Sequence, residues 1–440
     1  MVHPEIQYPS RYPGELLVAF ARDLLDACGR LDAAGRESGA DVVRAGPAGR
    51  GVVWLRHPDL IRAALIDENS GVTKARGLRL AQTILGLGLL TLEEPDHAPR
   101  RKLVLPAFHH QRLRAYGATM VEAAEAETRT WTPGEPFDLA ASMGRVALAI
   151  ASQTLFGADV DRARITSAVA QAQIAFDRAQ HPLGEILQRF PTPNTLRARR
   201  ARSAIDAEVY RVIGERRAEH DDGSLLDLLL AARDEDSGAG LSDDEVRDEA
   251  VTLLLAGHET TAVALGWTWP LIAAHPDVEA RLHAEVDALN DLDFDSVRRL
   301  PYTRQVFAEA MRLYPPAWVI GRQAARDLDL DGVPVARGTT VLLPILHTHT
   351  DPRFWPYPER FDPDRFEPEA KSDRHKFAYL PFSAGRRGCI GEQCAWTEGV
   401  LALAAIARHW RVRPAGPLPP PVGSVTLRPS GPIPVVAERR

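Results

Sequence analysis

The polar and apolar positions of this chain repeat mostly with a helical spacing. After a Pro- and charge-rich start, an amphipathic helix is expected near 14–35. D-V-V-R and G-R-G-V-V-W-L, separated by A-G-P-A, predict a short hairpin within 41–56, and His57-Pro58-Asp59 opens a helix to about Asp67. Residues 69–92, with glycines at Gly71, Gly77, Gly86 and Gly88 and the apolar patch I-L-G-L-G-L-L, are expected to be irregular. From 111 to 232 the pattern is helical, broken near Thr132-Pro133-Gly134 and around 189–194. Ser242 and Glu245 form a capping box, S-x-x-E, that begins the longest helix, to about Ala274, with Pro270 as a kink or end signal. Helices follow at His275-Pro276-Asp277 and around E-A-M-R (309–312). Strand-like stretches and a hairpin fill 317–345, an alanine-rich apolar run reaches Ala407, and a hairpin containing S-V-T-L-R-P lies in the Pro-rich end.

Composition narrows the class. The chain has 440 residues, a net charge of −6 and three cysteines, Cys28, Cys389 and Cys394. Mildly negative charge gives no general attraction to nucleic acid. Three cysteines make no disulfide framework or zinc site, and a reducing cytoplasm fits them. No signal-peptide core stands at the N-terminus, and no uninterrupted apolar run reaches the ~18–20 residues that span a bilayer, so no membrane anchor is expected. The Arg-rich run L-R-A-R-R-A-R-S alternates with alanine and is soon diluted by Asp206 and Glu208, which predicts a solvated helix face.

Two stretches carry chemistry. Residues 382–391 read F-S-A-G-R-R-G-C-I-G, a glycine-rich loop that ends on Cys389 just before a helix. Free N–H groups at a helix start favour thiolate, and a thiolate is an axial ligand for haem iron. Arg387 is placed to pair with a haem carboxylate. A buried, inert cysteine is the plainer alternative. The second stretch, L-L-L-A-G-H-E-T-T (253–261), lies inside the longest helix. Thr260 beside Glu259 suits holding water for proton delivery, and Ala256 and Gly257 leave room for small ligands. The alternative is a threonine that returns its hydrogen bond to its own helix.

The pattern F-x-x-G-x-R-x-C-x-G is complete in Phe382, Gly385, Arg387, Cys389 and Gly391. It resembles the haem loop of the cytochromes P-450, the thiolate-haem monooxygenases, and A-G-x-E-T-T resembles that family's oxygen-activating motif. His97 and Arg101 share a helical face and resemble its propionate-binding helix. Glu309 and Arg312 resemble its E-x-x-R pair, with Arg360 of P-E-R-F expected as the third, structural member. Arg322 is expected at a propionate by position. Leu85, Leu87, Ala256, Ala317, Trp318, Val319 and Ile320 are expected to touch substrate, and 165–188 to form lid helices.

The resemblance implies a mainly α, triangular single domain over 1–440 with a small β-rich region near 41–56 and 317–345. It implies haem b on the Cys389 thiolate, Thr260 and Glu259 serving protons, and insertion of one oxygen atom from O2 into an apolar small molecule in bacterial secondary metabolism. No reductase motif follows, so electrons are expected from a ferredoxin or flavodoxin with an NAD(P)H-dependent reductase. A haem-thiolate peroxygenase, isomerase or coupling enzyme is the alternative activity, and a non-catalytic haem sensor the alternative class.

Overall fold

The computed structural model describes residues 3–8, 20, 23–47, 49–66, 71–157, 165, 167, 168, 170, 171, 174, 190, 192–219, 223–233, 238–371 and 373–440. Helices α1 (Leu24–Ser38), α2 (Pro58–Ile66), α3 (Arg76–Leu85), α4 (His97–Val104), α5 (His110–Thr128), α6 (Leu139–Phe156), α7 (Pro193–Glu219) and α8 (Leu225–Ala231) precede the long α9 (Asp243–Ala274). After it come α10 (Pro276–Asp287), α11 (Pro301–Leu313) and α12 (Glu392–Ala407).

Helix α9 starts where its capping box predicts. The Ser242 hydroxyl accepts the Glu245 N–H at 3.3 Å, and the Glu245 carboxylate accepts the Ser242 N–H at 2.9 Å. Pro270 does not end the helix, which continues to Ala274 with Trp267, Trp269 and Ile272 buried around it. Helix α9 packs along α6 and against α7, α11 and α12. Residues Val400–Ala407 of α12 are all buried, because alanines let neighbouring helices approach closely. Helix α6 is long and apolar enough to cross a membrane by length and composition, but most of it is buried against α9 and α5.

A six-stranded sheet runs in the order β1 (Glu5–Gln7), β2 (Val42–Ala45), β3 (Val52–Leu55), β9 (Thr340–Leu343), β6 (Ile320–Ala324), β4 (Val72–Lys74). The predicted hairpin is β2–β3, and β9 joins β3 in parallel. Smaller pairs are β7 (Leu328–Leu330) with β8 (Val333–Val335), and β11 (Pro421–Gly423) with β12 (Leu427–Pro429). Strand β13 (Pro434–Arg439) lies between β10 (Trp410–Pro414) and β5 (Phe137–Asp138).

Two expectations are corrected. The segment 69–92 is not irregular throughout: it holds β4 and the helix α3. Its glycines hide the regularity, because they are where the chain presses on α9. Gly86 has φ +73°, and a Cβ there would lie 2.0 Å from the Asp248 carboxylate. Asp248 accepts the Leu87 N–H at 2.6 Å, and Arg247 donates to the carbonyls of Ile84 and Leu85. The first helix is described from Leu24 and ends at Ser38, where Gly39 takes φ +68°; residues 9–19, where its start was expected, lie outside the described residues, as does most of 165–188.

Candidate active site

The loop before α12 closes on itself. Ser383 and Gly385 take φ +61° and +74°, and a Cβ on Gly385 would lie 2.2 Å from the Leu65 carbonyl oxygen, so only glycine fits there. The Cys389 N–H donates to Phe382 O at 2.9 Å, the Gly388 N–H to Gly385 O at 3.0 Å, and Arg101 to Gly388 O at 2.9 Å. Phe382 packs on Trp396 with ring centroids 5.5 Å apart. Gly391 caps α12 and presents its N–H to the Cys389 sulfur.

Cys389 is exposed, yet enough protein surrounds its sulfur to desolvate it, as on a concave wall. The expectation of a thiol made acidic by a helix start is therefore corrected. Burial pushes the Cys389 thiol up, and the Glu392 carboxylate adds to that, against the Gly391 N–H and Arg101. Deprotonation would have to come from a bound cation, which removes a coordinating thiol's proton outright.

Beside this loop, cations gather. His97 opens α4 and is buried, with Nδ1 lacking a hydrogen bond and Glu94 3.5 Å away. Burial, with Lys74 and Arg387 nearby, lowers its pKa to about 4. Arg322 is buried on β6, where burial and Arg387 bring it down to about 10. Its register partner is Lys74 on β4. Lys74 is buried too, donating to Leu89 O at 3.1 Å and Leu92 O at 2.5 Å, and burial with the Arg387 charge lowers it to about 7. Arg387 also donates to Leu92 O, at 3.1 Å, and pairs with Glu93. Two carboxylates, Glu93 and Glu94, thus sit among Lys74, Arg322 and Arg387, with Arg101 and a neutral His97 close by. Such an excess of desolvated cations matches a ligand that brings its own carboxylates.

The middle of α9 has a different surface from its ends. Val246, Ala250, Val251 and Leu254 are buried before it, and Thr261, Ala264 and Leu265 after it, but Ala256 and Gly257 are exposed. Beyond the adjoining backbone of α9 and the two neighbouring residues, no atom of the described residues lies within 4 Å of where a Gly257 Cβ would stand. Ile390, next to Cys389, packs on the cluster that holds Leu254, Val251 and Leu85. Leu254, two residues before the bare patch of α9, thus belongs to the apolar cluster on which Ile390 packs. The Thr260 hydroxyl donates to Ala256 O at 2.7 Å, which is the back-bond of the plainer reading. That bond uses its proton and leaves its oxygen lone pairs as acceptors for a further donor. Glu259 Oε1 accepts from Thr426 Oγ1 at 2.5 Å. His258 seats the helix, its Nε2 3.2 Å from Gly144 O.

The E-x-x-R pair is fully buried, with Arg312 Nε 2.7 Å and Nη2 2.8 Å from the Glu309 carboxylate. Its third side chain is Arg365, not Arg360. Arg365 Nε lies 3.4 Å from Glu309 Oε1, while Arg360 points outward and supplies only its carbonyl, which accepts from Arg312 at 3.1 Å. The expected substrate contacts divide. Trp318 is buried against Cys28, Leu31, Val43 and Trp54 and donates to Ser424 O, so it is a core residue. Leu85 packs into the α9 core, Val319 borders the Trp318 cluster and Ile320 the sheet cluster. Leu87 and Ala317 are exposed.

Lys74, Arg365 and Thr426 are the polar residues that the sequence reading misses. Lys74 and Thr426 stand in no recognisable motif. Lys74 is detectable only through the β4–β6 register, and Arg365 only as the arginine of F-D-P-D-R-F, five residues after that of P-E-R-F.

Among the described residues, no group of three or more His, Cys, Asp or Glu side chains is placed to hold a bare metal ion. The donor set is instead one thiol on a concave wall with carboxylate-hungry cations beside it, which fits a metalloporphyrin bearing two carboxylates.

The comparisons agree. Residues 34–435 match the family model described as Cytochrome P450. The chain is 38% identical to Cyclooctat-9-en-7-ol 5-monooxygenase of Streptomyces melanosporofaciens, over 87% of this chain and 85% of that protein. It is 37% identical to Cyclooctatin synthase of the same organism, covering 90% and 88%, and 35% identical to Pentalenene oxygenase of Streptomyces avermitilis, covering 81% and 80%. The crystal structure of the cytochrome P450DA heme domain superposes with a TM-score of 0.89 at 27% identity, covering 100% of this chain and 99% of that one. With the family model spanning nearly the whole chain and a thiol loop, cation cluster and opened helix of matching order, this protein belongs to the cytochrome P450 family, the haem-thiolate oxidoreductases.

Proposed function

We propose that the chain is a monooxygenase that oxygenates a cyclic, terpenoid-class hydrocarbon or its alcohol, working as one domain in the cytoplasm of a bacterium. The relatives' names supply the substrate class: an unsaturated alcohol for one and a hydrocarbon for another. The observation that carries the activity is the pairing of Cys389 on a concave wall with the bare Ala256–Gly257 patch of α9 near the same core cluster.

When bound, haem b supplies dioxygen activation and oxygen insertion. The chain's residues do the rest. Cys389 would hold the iron through its sulfur, which the Gly391 N–H steadies. Arg101, His97, Arg322 and Arg387, with Lys74 among them, would hold the carboxylates of the haem. Phe382 and Gly385 fix the loop, and Ala256 leaves space for substrate. Thr260, its proton committed to Ala256 O, accepts from a water and orients it, and Glu259 passes protons in from solvent.

Electrons come from outside. A cleft of about 470 Å³ is lined by Arg304, Arg374, His375, Lys376, Tyr379 and Trp396. Arg304 lies 4.2 Å over the Trp396 ring, which touches Phe382 of the cysteine loop. Arg304, Arg374 and Lys376 outnumber Glu392, the one carboxylate among the described residues that line the cleft, and suit an acidic carrier, a ferredoxin or flavodoxin served by an NAD(P)H-dependent reductase.

The test is the absorption spectrum of the reduced protein under carbon monoxide. A Soret band moved far to the red, lost in Cys389→Ser, is expected. A band at the position of histidine-ligated haem, or folded protein without haem, overturns the proposal. Turnover with hydrogen peroxide and none with electron donors would replace it with a peroxygenase.

A further inference from the structure

Glu259 is held from outside its own helix. Its Oε1 accepts the 2.5 Å hydrogen bond from the Thr426 hydroxyl. Thr426 stands in the turn between β11 and β12 and is 3% exposed. The turn is itself fixed. Trp318 Nε1 donates to Ser424 O at 3.0 Å, Trp267 Nε1 to Leu427 O at 2.8 Å, and the Leu427 N–H to Pro316 O at 3.0 Å. Trp267 belongs to α9, the helix that carries Glu259, so hairpin and helix are registered to each other independently of Thr426.

A hydroxyl that donates to a carboxylate favours the charged form and selects one side-chain direction. A glutamate has three side-chain torsions, and an unguided one spends its time in many rotamers. A proton carrier near an active site must instead return to one place between turnovers.

We propose that Thr426 is the positioning residue for Glu259, returning its carboxylate to a single pose from which a proton is passed toward the water at Thr260. The proton enters Glu259 from solvent, breaks its O–H bond there on transfer to water, and leaves the carboxylate to re-form its bond with the Thr426 O–H. No net charge accumulates on the pair. The proposal rests on the reading of Glu259 and Thr260 as the proton route.

The test compares wild type, Thr426→Val, Thr426→Ser, Glu259→Gln and Thr426→Val/Glu259→Gln in the holoenzyme. Thr426→Val is expected to lower product formed per NAD(P)H consumed by about fivefold or more and to raise the solvent deuterium effect on kcat. The apparent Kd of a spin-shifting apolar ligand should stay within twofold. Thr426→Ser restores coupling, and the double variant is no worse than Glu259→Gln alone, because both remove one route. In the infrared, the carboxylate band lost in Glu259→Gln shifts in Thr426→Val and returns in Thr426→Ser. Amide exchange across 421–429 stays at the wild-type level, since the tryptophan and backbone bonds remain. If Glu259→Gln leaves coupling untouched, the proton-route reading falls first. If Glu259→Gln uncouples the enzyme and Thr426→Val does not, or the Glu259 band does not move, the role of Thr426 is overturned alone.

Discussion

Arg365 Nε lies 3.4 Å from Glu309 Oε1, and Arg360, five residues earlier, leaves 71% of its side chain in solvent. Glu309 is fully buried; it also accepts from both ends of the Arg312 guanidinium and from the Asp362 N–H at 2.9 Å. Burial still raises its pKa against those cations. Removing one partner of a buried charge pair costs ~3–5 kcal/mol, whereas a surface substitution stays within about 0.5 kcal/mol. Arg365→Ala should therefore lower the denaturation midpoint and haem content strongly. Arg360→Ala should change neither, because its contribution is a backbone carbonyl. Urea denaturation and haem content per folded protein check both.

Glu398 on α12 is a second buried carboxylate with a different environment. Its Oε1 has no hydrogen-bond partner among the described residues, and burial alone pushes it up to about 8. A carboxyl with a raised folded pKa contributes stability below its unfolded value, about 4.5, and loses it as pH rises through about 8. Glu398→Gln, a neutral replacement of the same shape, should match wild type at pH 4 and exceed it at pH 8.5. Each pKa unit is worth about 1.4 kcal/mol, so the full difference amounts to a few kcal/mol. Denaturation midpoints across that pH range decide the matter.

Lys74 titrates in the opposite sense. Burial and Arg387 hold it down at about 7, so near neutrality it is only partly charged. A ligand that brings carboxylates into the cluster restores its charge, and loading near pH 7 then takes up a fraction of a proton through this group. Calorimetry of haem loading in buffers of different ionisation enthalpy should give a proton balance that differs by that amount between wild type and Lys74→Met. Lys74→Met should also release haem faster. An unchanged proton balance would remove Lys74 from the carboxylate site.

Thr260 supplies an acceptor oxygen and a fixed direction rather than a free proton. Thr260→Ala should therefore keep ligand binding and reduction near wild type while oxygen and NAD(P)H consumption separate from product, by severalfold or more, with hydrogen peroxide released instead. Thr260→Ser, which keeps the hydroxyl, should restore much of the coupling. Peroxide and product counted against NAD(P)H consumed measure it.

Much of the site was legible because it is local in sequence. The cysteine loop needs glycine where the backbone turns left-handed at Gly385, and that requirement is written within ten residues. The Ser242–Glu245 box and the Glu309–Arg312 pair are three residues apart, so helical geometry alone brings them together. Regular structure in 72–85 was obscured because its flanking glycines are selected by Asp248 and Thr252 on α9, a contact across more than 150 residues.

By itself, then, the sequence determined the family, the order of the elements and the residues whose partners lie within a turn or a loop. Only the tertiary structure decided which arginine reaches Glu309, that Trp318 belongs to the core, that Lys74 joins the cations through the β4–β6 register, and that Thr426 meets Glu259. It also decided that desolvation overrides the helix start at the Cys389 thiol. The division has one physical cause. Helix spacing and backbone sterics act between near neighbours and leave a pattern in the chain, whereas burial and long-range pairing depend on what the fold places on the other side.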